Sequence, residues 1–83
     1  MSVPPLPVSL SSLKPGSRCT VVRISGNGGI DRRLLDLGFV PDTPVCVLRR
    51  APLGDPASYY LRGFEICLRD SEADRIWVRP ETA

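Results

Sequence analysis

With 83 residues the chain makes one domain, and a domain of that size buries only about 60% of the surface its unfolded chain exposes, which leaves room for a single small core. Apolar residues at 42% and charged residues at 24% exclude a disordered chain, and nine prolines with seven glycines exclude any helix longer than about three turns. The net charge is only +2, with one lysine and ten arginines spread from Lys14 to Arg79 and no basic tail, which argues against a nucleic-acid partner.

Met1 to Val8 holds three prolines without periodicity and reads as an extended arm. Ser9 to Leu13 predicts one helical turn with Leu10 and Leu13 inward, and Lys14-Pro15-Gly16 supplies a turn. Cys19 to Ile24 is β-branched and alternating, a first strand whose Cys19, Val21 and Ile24 share the inner face if a bulge falls near Val22 or Arg23. Ser25-Gly26-Asn27-Gly28-Gly29 is a glycine loop, but no lysine or hydroxyl follows where a phosphate-binding loop needs one.

Ile30, Leu34 and Leu37 recur at helical spacing, so Ile30 to Leu37 forms about two amphipathic turns, with Asp31 in the first turn, Gly38 as a C-terminal cap and Pro41 barring continuation. Val45 to Arg50 is a second strand with Val45 and Val47 inward and Cys46 outward. Ala51 to Pro56 is a wide loop, and Tyr59 to Leu61 a third strand. Arg62-Gly63 makes a tight connection into Phe64 to Arg69, a fourth strand with Ile66 and Leu68 inward and Cys67 outward. Ser71 to Asp74 has capping-box spacing for one helical turn before a closing strand, Ile76 to Val78, and Pro80 ends the fold.

Five short strands with one short helix after the first predict an all-β, SH3-like barrel, with an OB-like barrel as the alternative. The expected organisation is an arm over 1–8, a domain over 9–79 and a tail over 80–83. The expected core is Val21, Ile24, Leu34, Val45, Val47, Tyr59, Leu61, Ile66, Leu68 and Ile76.

Three blocks, Leu10-Ser11-Ser12-Leu13-Lys14-Pro15-Gly16, Arg32 to Thr43 with its Leu-Gly-Phe-Val-Pro run, and Leu48 to Pro56 with Ala-Pro-Leu-Gly-Asp-Pro, together resemble the FeoA family of ferrous iron transport proteins. The resemblance runs from Leu10 to Val78 and implies an SH3-like barrel in the bacterial cytoplasm, acting beside FeoB, the membrane protein that carries Fe²⁺ and bears a GTP-binding domain. A similar barrel ends the iron-dependent repressors, but no helix-turn-helix precedes it in this sequence. The family supplies no catalytic residues.

The residues themselves point the same way. There is no histidine, and no spacing brings two acids together except Glu72 and Asp74, which a turn explains, so catalysis is not expected. The N-terminus lacks a signal-like apolar run and no stretch is long enough to span a membrane, so a cytoplasmic protein without membrane insertion is expected. Leu35, Phe39, Val40 and Pro41 cannot all pack inward in so small a barrel, with completion of the core the alternative for Leu35 and Phe39. With Arg32, Arg33 and the loop residue Leu53 they form the expected partner surface, toward the cytoplasmic region of FeoB or toward a second copy in a homodimer. An arginine finger toward the partner's GTPase is the minor reading of Arg32 and Arg33, and ion pairing the simpler one.

The three cysteines form no CxxC and no disulfide framework. Cys19 is expected to be buried and inert. Cys46 and Cys67, outward-facing, would hold a divalent metal, zinc or iron, only across a dimer and with carboxylates. No cofactor is required. The alternative function, a direct ferrous-iron carrier or sensor, is disfavoured by the absence of imidazole.

Overall fold

The alternation of the β-branched segments builds a sheet of six strands in which every neighbouring pair is antiparallel, in the order β1-β6-β2-β3-β4-β5. The structure, a computed structural model, describes residues 6–25 and 29–81. The strands are β1 (Val8–Ser9), β2 (Arg18–Ile24), β3 (Pro44–Arg50), β4 (Ala57–Leu61), β5 (Phe64–Leu68) and β6 (Ile76–Pro80). A 3-10 turn over Leu10–Ser12 follows β1, α1 (Gly29–Leu37) follows β2, and the four-residue α2 (Asp70–Ala73) follows β5. The all-β, SH3-like expectation stands, with one strand more than predicted.

The additional strand is Val8–Ser9, which pairs with Trp77 and Val78, so Val8 belongs to the sheet and not to the arm. Pro80 likewise sits in β6 opposite Cys19, and the Glu81 N–H donates to the Arg18 carbonyl at 2.8 Å. A two-residue strand lacks the alternation that sequence reading relies on, and proline at a strand end reads as a stop. Met1 to Pro5 of the arm, residues 26–28 of the glycine loop and the last two tail residues lie outside the described residues.

The core is one cluster drawn from nearly every element. Leu10, Cys19, Val21, Leu34, Phe39, Val45, Val47, Ala57, Tyr59, Leu61, Leu68, Ala73, Ile76 and Val78 are buried, and Leu13, Ile24, Leu37 and Ile66 pack against them half-buried. A register shift in β2 between Val21 and Arg23 turns both Val21 and Ile24 inward, as the sequence requires. The capping box differs from expectation. The cap lies two residues earlier, at Arg69, so the helix begins at Asp70, and Glu72 is the residue that reaches back, its Oε1 accepting the Arg69 N–H at 3.0 Å. Ser71 is helical and not the cap. The Asp70 N–H is taken by Asp55 Oδ1 at 3.0 Å, a partner on the wide loop that no local pattern announces.

Arg50, at the end of β3, ties the irregular segments to this sheet. Its guanidinium donates to the carbonyls of Ser11 and Leu13 in the 3-10 segment, to the Gly54 carbonyl in the wide loop at 3.4 Å and to Asp70 Oδ1 on α2 at 3.2 Å. A planar fork with five donors can serve such a divergent set; a lysine cannot.

Candidate partner-binding surface

Helical spacing decides which part of α1 faces out. Leu34 is fully buried and Leu37 half-buried, so Arg32, Leu35 and Asp36 point to solvent, Leu35 with 43% of its surface exposed. Asp31, in the first turn, bonds Arg75 Nε at 2.8 Å, and Arg33 pairs with Glu72 of α2. Arg33 therefore helps to anchor α1 while keeping 57% of its side chain exposed, and Arg32 is exposed as well.

After α1 the chain reverses at Gly38, at φ 114°, where a Cβ would come within 3.2 Å of the Arg62 side chain. The Phe39 N–H then donates to the Leu34 carbonyl at 3.1 Å and the ring enters the core with no exposed surface. Phe39 is thus a core residue, which takes it off the expected partner surface and decides for the alternative that it completes the core. The physical reason is the reversal, which aims the next side chain back under the helix, where it fills the space between α1 and the sheet. Val40 is half-buried and Pro41 exposed. This stretch is held against β2, since the Asp42 N–H donates to the Val21 carbonyl at 2.8 Å and the Val21 N–H to the Thr43 carbonyl at 2.9 Å.

Leu53 sits on the wide loop with 96% of its surface exposed. The loop is closed by its own backbone, Ala51 N–H to Pro56 carbonyl at 2.9 Å and Gly54 N–H to Ala51 carbonyl at 2.7 Å, besides its bonds to Arg50 and to α2. α2 bonds both the loop, through Asp55, and α1, through Arg33. The structure therefore leaves Arg32, Arg33, Leu35, Pro41 and Leu53 exposed on anchored backbone, which lowers the ordering cost of binding.

Cys46 and Cys67 do not meet. Cys46 lies on β3 opposite Tyr60, and Cys67 on β5 opposite Ser58, so all of β4 separates their strands. Among the described residues no three His, Cys, Asp or Glu side chains gather to hold a metal ion. Cys19 is buried as expected. Its thiol donates to the Val45 carbonyl at 3.6 Å, and burial, with Cys46 and Glu81 nearby, pushes its pKa up to about 12. Sequence reading missed Tyr60 and Phe64, exposed at 47% and 68%. It also missed Trp77, whose Nε1–H donates to Ser25 Oγ at 2.6 Å and whose ring lies 5.1 Å from the Arg23 guanidinium. Two-fold alternation was the available signal for Tyr60; an aromatic flanking a turn carries none. No helix among the described residues is long and apolar enough to cross a membrane.

Comparison with known proteins places this geometry. Residues 8–80 match the family model for the FeoA domain. The chain is 36% identical over 69 residues, 83% of its length, to an Fe(2+) transport protein A/Fe(2+) transporter FeoB fusion protein of Porphyromonas gingivalis, and it spans 8% of that protein's length. Its fold is similar to that of a FeoA-like protein from Clostridium acetobutylicum, with TM-score 0.89, 30% identity and coverage of 95% of this chain and 92% of the other. It is also similar to Stenotrophomonas maltophilia FeoA complexed with zinc, described as a prokaryotic SH3 domain protein, with TM-score 0.78, 31% identity and coverage of 89% and 95%.

Proposed function

The chain belongs to the FeoA family, and we propose that it acts in the cytoplasm as a non-enzymatic interaction module that binds the cytoplasmic region of the FeoB ferrous-iron transporter and regulates it. One observation carries this reading: in the Porphyromonas gingivalis relative, transport protein A and the transporter are one fused polypeptide. Fusion holds two parts at high effective concentration, a benefit only to parts that work together. The exposed leucines on anchored backbone supply the contact, with Leu35 and Leu53 giving apolar affinity and Arg32 giving orientation.

The test is capture of FeoB's cytoplasmic region by the purified protein, with and without Fe²⁺ and GTP. Saturable binding that Leu35→Glu weakens at least tenfold supports the reading. Absence of binding, together with stoichiometric Fe²⁺ binding by the isolated chain, favours the alternative of a metal carrier.

A further inference from the structure

The two ends of the sheet are unequal, because β1 is two residues long whereas β5 runs five residues and pairs with β4 alone. The β4–β5 hairpin turns through Arg62 and Gly63, both at positive φ, 53° and 87°. Such a two-residue turn makes its flanking residues, Leu61 and Phe64, a hydrogen-bonded pair. The ladder has no register shift, so Tyr59/Ile66 and Ala57/Leu68 also exchange bonds, while Tyr60/Glu65 and Ser58/Cys67 do not. The backbone N–H and C=O groups of Glu65 and Cys67 therefore point along the open edge, where no described residue meets them. Beside them Phe64 is exposed over 68% of its surface.

We propose that the β5 edge is a two-fold strand-pairing surface for a second copy of this chain, with Glu65 of each copy opposite Cys67 of the other. In this register Glu65 and Cys67 exchange both backbone bonds with their opposites, so the open groups of the two copies satisfy one another and need nothing else. The same register sets exposed Phe64 across from Leu68 and Ile66 across from itself. It also brings Arg62 toward Asp70 of the other copy, whose side chain is 44% exposed.

The neighbouring registers fail for stated reasons. A slip by one residue turns the inner face of one strand outward. Centring the axis on Glu65 sets two carboxylates face to face. Centring it on Cys67 requires Arg69, whose N–H is already donated to Glu72 Oε1 at 3.0 Å and whose carbonyl already accepts from the N–H groups of Glu72 and Ala73 at 2.9 and 3.0 Å. The inference is independent of the transporter, since it rests on the edge alone.

Sedimentation of the purified chain over a concentration series tests the pairing, and a disulfide tests the register. The expected result is a twofold mass at high concentration. Cys67→Pro should lose the dimer and keep the fold, because that N–H faces the edge and not β4. In a Cys46→Ser background, Glu65→Cys should oxidise to a dimer linked between positions 65 and 67, since hydrogen-bonded pairs sit about 5.5 Å apart at Cα and disulfides span about 4.4–6.8 Å. A monomer at millimolar concentration overturns the proposal, and so does a folded Cys67→Pro variant with undiminished dimer. Linkage of Cys67 to Cys67 at equal speed without Glu65→Cys overturns the register. Loss of transporter capture by Cys67→Pro in a chain that never dimerises gives the edge to the transporter and likewise overturns self-pairing.

Discussion

Cys19 and Tyr59 carry the pH dependence of the buried interior. In the folded chain the Cys19 thiol stays protonated because burial raises its pKa from 9.0 to about 12, and burial also raises the Tyr59 hydroxyl, against the opposing pull of Arg50. A raised folded-state pKa contributes stability that is complete below the unfolded value and is lost as pH climbs toward the folded one. In urea denaturation this contribution should be complete below about pH 9 and decline from there toward 12, by at most about 1.4 kcal/mol per pH unit for Cys19. Cys19→Ala should flatten that decline, leaving the part due to Tyr59. Parity along the first strand already placed Cys19 inside, because the thiol alternates with Val21. Phe39 was not legible in the same way. Its direction depends on the positive φ of Gly38, which a sequence permits but does not aim. Phe39→Ala should cost about 3–5 kcal/mol, measurable as a lowered denaturation midpoint and a large part of the stability of so small a domain.

At the scale of elements, the regular strands and α1 follow from periodicity, and their inward residues are those the alternation picks out. What periodicity could not supply is the way irregular segments attach. Arg50 is the clearest case, since nothing in the run Leu48-Arg49-Arg50 distinguishes the arginine that faces solvent from the one that fastens the 3-10 turn, the wide loop and α2. The shift in β3 register between Val47 and Arg49 decides it. Arg50→Met keeps much of the stem's packing and removes these bonds, leaving the Leu13 and Gly54 carbonyls and Asp70 without the guanidinium. It should cost about 2 kcal/mol or more by chemical denaturation and speed amide exchange in the wide loop and α2 ahead of the central strands. Arg49→Met, on an exposed position, should stay within about 0.5 kcal/mol of the parent.

For the molecule as a whole, the barrel was legible because its motif order and turn spacing agree from Leu10 to Val78. The partner surface was legible only in part, because exposure depends on how neighbouring segments close over one another. Phe39 withdrew into the core, whereas Arg33, although paired with Glu72, stays exposed together with Arg32, Leu35, Pro41 and Leu53. Burial and binding are therefore separable by mutation, which makes the interaction-module reading open to a clean test. The measurement is calorimetric titration of the cytoplasmic region of FeoB with the parent chain, Leu35→Glu, Leu53→Glu and the exposed control Arg49→Met, each first shown to unfold like the parent. Saturable binding is expected from the parent and the control, and affinity at least tenfold weaker from Leu35→Glu. Equal affinity across all four folded proteins, or none for the parent, would contradict the interaction-module reading.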